Sequence, residues 1–83
     1  MSYKDVRGHI EALKGELEQI PQETGSLEER LAQAGEGIER FTPEAAQELI
    51  ALLRREAEAF EAGHPRITAL INQVATALSS LGI

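Results

Sequence analysis

Glu61-Ala62-Gly63-His64 is the one stretch of this 83-residue chain where a carboxylate and an imidazole stand at a spacing that metal chemistry uses. Glu-x-x-His is the pair that carboxylate-bridged di-iron bundles present on one continuous helical face, together with a second copy of the motif and two further glutamates. In this chain Gly63 and Pro65 interrupt the helix at that point, and the motif occurs once. No metal site is therefore expected, and His64 is read as a residue that caps a helix and uses its ring to tie a turn.

The other candidates are weaker. His9 lies one turn from Asp5 beside an apolar seam and reads as a flanking surface histidine. No serine sits in a nucleophile elbow or beside a histidine with an orienting acid. Gly35-Glu36-Gly37 is too short for a phosphate loop, lacks a following lysine and puts an acid where a phosphate would sit. The absence of cysteine removes disulfides, zinc-thiolate sites and thiol catalysis. Eight Lys and Arg against 14 Asp and Glu give a formal charge of −6. The basic residues are scattered, and Arg54-Arg55 stands beside Glu56, so neither nucleic-acid phosphates nor an anionic membrane is an expected partner. No catalytic, cofactor-binding or metal-binding residue is assigned, and no enzymatic activity or cofactor is expected. There is no charged-then-apolar leader pattern and no apolar run of membrane-spanning length, so a cytoplasmic address is the default.

The elements are organised around the last stretch, residues 60–83. After Arg66 it carries no ionisable side chain. On a helical wheel Ile67, Leu70, Ile71, Val74, Leu78 and Leu81 fall in one arc, with Ala75 and Ala77 at its edges. The opposite face holds Thr68, Ala69, Asn72, Gln73, Thr76, Ser79 and Ser80, polar but uncharged. Such a face is either simply exposed or a second packing contact, within the chain or with a second copy. Thr68, Asn72, Thr76 and Ser79 are its candidate interface residues. Gly63 suits a left-handed C′ position, Pro65 suits the first helical position, and Gly82 suits a second C′, with Ile83 packing back on Leu78. The chain is thus expected to stop where its last helix is capped.

Phe60-Glu61-Ala62-Gly63-His64-Pro65, followed by Leu78-Ser79-Ser80-Leu81-Gly82-Ile83, resembles the C-terminal signature of a short bacterial family, domain-of-unknown-function family 4404. The apolar spacing of the N-terminal stretch is similar in style, so the resemblance spans nearly the whole chain. Leu81 stands where the family pattern has methionine, a departure that leaves the packing role intact. The resemblance implies a helical fold and a bacterial origin, with no activity to carry over. The structural signature is Phe60, Gly63, His64, Pro65, Leu78, Gly82 and Ile83.

Upstream, the spacing predicts three more helices. Tyr3, Val6, Ile10, Leu13, Leu17 and Ile20 form a narrow seam in a helix over 3–20, with Ser2 and Asp5 as a capping box and an end near Gln19 ahead of Pro21. Gly8 and Gly15 lie off that seam, either allowing a close backbone contact or tolerated at the surface. A second helix over 27–40 uses Leu27, Leu31, Ala34, Ile38 and Phe41, with Ser26 and Glu29 as its capping box and a weak Glu36–Arg40 pair. Gly35 and Gly37 make it the least secure element. Thr42-Pro43-Glu44 opens a third helix over 43–62. Its apolar arc of Ala46, Leu49, Ile50, Leu53, Ala57 and Phe60 is widened by Ala45, Leu52 and Ala59. Glu56 falls inside that arc, at the rim or paired, with the rim favoured. The fourth helix covers 65–81.

Short connections favour antiparallel neighbours. The expected fold is all-α: a small up-and-down helical bundle of three to four short helices in a single domain, 1–83, with the C-terminal helix central. Two functions fit. One is a non-catalytic module that interacts with protein, including itself as a homodimer. The other is a monomeric adaptor that takes a partner helix or peptide in an apolar groove while the second helix moves aside.

Overall fold

In the computed structural model, residues 2–20 and 24–81 are described. They form four α-helices: α1 (Tyr3–Leu17), α2 (Gly25–Gly37), α3 (Pro43–Phe60) and α4 (Pro65–Ser80), with a 3₁₀ turn at Ile38–Arg40 between α2 and α3. Connections of a few residues force each helix to run back along the one before. The result is an up-and-down bundle of 32 × 20 × 19 Å. α4 lies between α3 and α1, and α2 packs on the far flank of α1.

The position of α4 follows from its inner arc. Ile67, Ile71, Val74, Ala75, Ala77 and Leu78 are all buried. At 100° per residue they sweep roughly 160°, wide enough to face two helices at once. The two alanines placed at the edges of the arc are therefore core residues, and their small size lets α1 and α3 approach closely. From α1 come Val6, Ile10, Leu13 and Leu17, and from α3 come Ala46, Leu49, Leu53, Ala57 and Phe60. Leu27, Leu31, Ala34 and Ile38 close the remaining side. Among the described residues no polar or charged side chain is buried. Glu56 is half-buried at the rim, and Tyr3, at the end of the α1 seam, is 38% exposed.

Local chemistry sets most of the ends. Ser2 accepts from the Asp5 amide at 3.3 Å, and Asp5 Oδ2 accepts from the Ser2 amide at 3.2 Å, completing the expected box. The Ser2 amide and then the Ser2 hydroxyl, both donating to Asp5 Oδ2, hold the Asp5 carboxyl below its ordinary range. Thr42 Oγ1 accepts from the Ala45 amide at 3.1 Å, with Pro43 opening α3.

Several expectations need correction. α1 ends at Leu17 rather than Ile20, because the chain tightens into i→i−3 bonds from Gln19 to Glu16 and from Ile20 to Leu17. α2 starts at Gly25 on a Thr24 N-cap, so Ser26 is inside the first turn and forms no capping box; the Glu28 amide instead bonds the Thr24 carbonyl at 2.9 Å. α2 also ends early, at Gly37, whose φ of −118° and ψ of 20° lie outside helical geometry and turn Ile38 into the core as a 3₁₀ turn begins. Glu36 and Arg40 are not among the ion pairs of the described residues; Glu39 pairs with Arg7 across to α1. α3 likewise stops at Phe60 and α4 at Ser80, slightly short of 62 and 81. The expected roles of Gly82 and Ile83 lie outside the described residues.

Gly8 and Gly15 have open space where a Cβ would stand, so they are tolerated positions rather than close contacts. Gly35 is nearer a neighbour, its Cβ position 3.8 Å from Ile10 Cγ2, and its carbonyl accepts from Arg7 Nε at 2.9 Å.

A core built only from apolar side chains responds directly to lost volume. Ile71, fully buried on the inner arc of α4, is expected to lose about 0.5–1.5 kcal/mol of unfolding free energy as Ile71→Val and about 2–5 kcal/mol as Ile71→Ala. Urea unfolding followed by circular dichroism measures both.

Candidate interaction surface

The α3–α4 turn fixes the direction of α4. Phe60 closes α3 against the core, and the His64 amide donates to the Phe60 carbonyl at 2.8 Å. The His64 ring meets the Phe60 ring edge-on, with centroids 5.9 Å apart and planes at 63°. His64 is the N-cap of α4 by its backbone, and its side chain makes no capping bond. Its carbonyl accepts from the Thr68 amide at 3.1 Å. The expected left-handed Gly63 is absent: its φ lies outside that region, because the turn stays right-handed through to the His64 amide bond. Glu61 and His64 form no ion pair, and Glu61 is exposed.

The four candidate interface residues divide. Thr68 is half-buried and already used, its hydroxyl donating to the carbonyls of His64 at 3.3 Å and Ala57 at 3.4 Å, which ties α4 to α3. Asn72, Thr76 and Ser79 are exposed. With Ala69, Gln73 and Ser80 they make an outward face that carries no ionisable group. Ser79 and Ser80 turn their hydroxyls onto the carbonyls of Ala75 and Thr76, at 3.1 and 3.0 Å, leaving the amide groups of Asn72 and Gln73 and the Thr76 hydroxyl as polar groups of the face.

Two shallow grooves of about 280 Å³ each meet at Asn72. One runs along α3 past Arg54, Glu58 and Glu61, and the other is bounded by His9 of α1, Thr76 and Ala77. The structure thus brings His9, on α1, beside the uncharged face of α4. That pairing was not legible in the chain, because it depends on which side of α1 meets α4.

A second surface lies beside α2, the helix expected to move aside, although no residue pattern marks its lining. α2 and α3 stand further apart than the other neighbouring helices, and the gap holds two larger grooves, of about 410 and 360 Å³, that share Arg30 and Gln33. A helical wheel shows one helix at a time and gives no account of a gap between two. Among the described residues no three of His, Cys, Asp or Glu gather as metal ligands, and no helix is long and apolar enough to cross a membrane.

Short antiparallel helices, an apolar core and polar grooves define a small all-α bundle. The chain belongs to the family described as Domain of unknown function (DUF4404), whose model matches residues 6–83. No curated protein and no solved structure matches it.

The turn makes two contrasting predictions. His64→Ala removes the edge-on ring contact and is expected to cost about 0.5–1.5 kcal/mol. Gly63→Ala meets no neighbour within 4 Å and no left-handed backbone, so it should be neutral or stabilising by up to about 1 kcal/mol. Thermal melts of the two variants beside the parent chain check both.

Proposed function

We propose that this domain is a non-catalytic protein-interaction module that self-associates through the outer face of α4. The observation that carries the reading is that face itself: Ala69, Asn72, Gln73, Thr76, Ser79 and Ser80, exposed and uncharged, on a chain of net charge −6. Two copies of so acidic a chain repel, and the surface where they meet at least electrostatic cost is the one without carboxylates. Small side chains let two helices approach closely, and a two-fold contact sets Asn72 or Gln73 of one copy within reach of the amides of the other.

Packing and area bound the strength of such a contact. The accessible surface of 4988 Å² is close to the roughly 4,900 Å² expected for a folded 9.0 kDa monomer, so the isolated chain already buries an ordinary share of itself. One 16-residue helix is about 24 Å long. Contact along it with a second copy falls at the small end of interfaces, below about 1,200 Å². The association is accordingly reversible, with a dissociation constant in the micromolar range or weaker. Support for a non-catalytic role comes from the side chains: Glu61 and His64 are not paired, and the Asp5 carboxyl serves as a cap.

Sedimentation velocity over a concentration series tests the reading. A reversible dimer is expected at several hundred micromolar, and Thr76→Glu, which sets like charges face to face, should return it to monomer without loss of helicity. A strict monomer throughout, or a dimer unaffected by Thr76→Glu, would overturn it.

A further inference from the structure

The seam between α2 and α3 is the side of the bundle that its own helices leave open. α1 meets α4 and α2, and α4 meets α3, at close backbone approach, whereas α2 and α3 are separated by two grooves. The upper one is lined by Phe41, just after the 3₁₀ turn, and by Ala45, Glu48 and Leu49 of α3. The lower one is lined by Leu27 and Glu29 from α2, with Leu52 and Glu56 from α3. Arg30 and Gln33 belong to both, so the two are halves of one trough.

We infer that this trough is a docking groove for a basic amphipathic helix of a partner protein. Spacing, polarity and charge each bear on the choice. Ala45 and Leu52 are seven residues apart on α3, as are Leu49 and Glu56, which is two turns or roughly 10.5 Å of helix. A helix laid along the seam presents its own i and i+7 side chains at that interval, one into each groove. Leu27 and Leu49 lie beneath the trough almost wholly covered, half-buried Phe41, Ala45 and Leu52 are the apolar groups on its walls, and the rest of the lining is polar. Around it stand three carboxylates, Glu29, Glu48 and Glu56, against one guanidinium, Arg30, and none of the four is in an ion pair among the described residues. Lysine or arginine flanking the apolar stripe of the partner meets that surplus. A second copy of this acidic chain does not, which separates the trough from the uncharged face of α4. α2 is also the wall best able to adjust: its N-cap supplies no side-chain bond, and it gives way to a 3₁₀ turn after Gly37.

The test uses the full chain and two synthetic helices with the same i, i+7 leucine stripe, one flanked by lysine and the other by glutamate. Calorimetry measures affinity, and amide chemical shifts map the site. The lysine peptide is expected to bind, shifting amides in residues 26–33 and 45–56, and the glutamate peptide is expected not to. Leu52→Glu makes the chain more acidic yet should weaken binding about tenfold by spoiling the apolar wall. Ala12→Glu adds the same charge at an exposed position of α1, away from both grooves, and should leave binding unchanged. If Leu52→Glu perturbs the helical spectrum, Ala45→Arg serves in its place, with the same expected loss. Equal binding of both peptides, undiminished binding to the seam variants, or shifts confined to other helices would overturn the inference. So would loss of self-association in the seam variants, which would give the trough to a second copy.

Discussion

Everything in this bundle depends on one helix giving up a wide apolar arc to two neighbours. α4 places Ile67, Ile71, Val74, Ala75, Ala77 and Leu78 out of solvent, and α3 and α1 have their principal partner in it. At about 25 cal/mol for each Å² of apolar surface removed from water, such an arc outweighs any single polar contact in the molecule. The polar contacts are modest by comparison. Arg66 and Glu16 meet at 3.0 Å where α4 begins and α1 ends, with the arginine side chain 79% exposed, so the pair is screened and serves alignment more than stability. Arg7 does the same at the opposite end, donating to the Gly35 carbonyl and pairing with Glu39.

The absence of buried polar side chains among the described residues has a consequence for specificity. An aliphatic core without hydrogen bonds does not by itself fix which helix lies beside which. That information comes from the connections. Pro43 after Thr42 and Pro65 after His64 start α3 and α4 at defined residues, and the Phe60–His64 contacts hold the α3–α4 reversal. Thr68 adds a hydroxyl bond from α4 to the Ala57 carbonyl of α3. The strongest helix contacts therefore cluster around the best-built turn, and the widest gap lies between α2 and α3, joined through glycine and a 3₁₀ turn.

That division also explains what could be read from the chain alone. The two proline starts are local signals found in place, and the periodic arcs of α1 and α4 supply most of their buried residues, although Tyr3 is exposed and Ile20, Leu70 and Leu81 are only half-buried. Ends without a strong local device are less clearly marked in the sequence. Ser26 and Glu29 have the spacing of a capping box, yet Thr24 sits earlier in the chain and its carbonyl takes the first helical bond. Gly63 has the composition of a left-handed cap, but the continuing right-handed turn satisfies the Phe60 carbonyl through His64 and leaves the glycine no special role. The outer face of α4 was legible because charge is a property of the sequence. The α2–α3 trough was not, since Arg30 and Leu52 become neighbours only when two helices are docked.

If α4 is the centre of the core, its backbone should be the last to open. Native-state hydrogen exchange on the monomer measures this residue by residue. Amides of residues 71–78 should exchange only through global unfolding, with protection equal to the full unfolding free energy and at least as great as that of α1 and α3. Exchange of those amides by local opening, faster than the middle of α1 or α3, would show that the bundle is organised around a different helix.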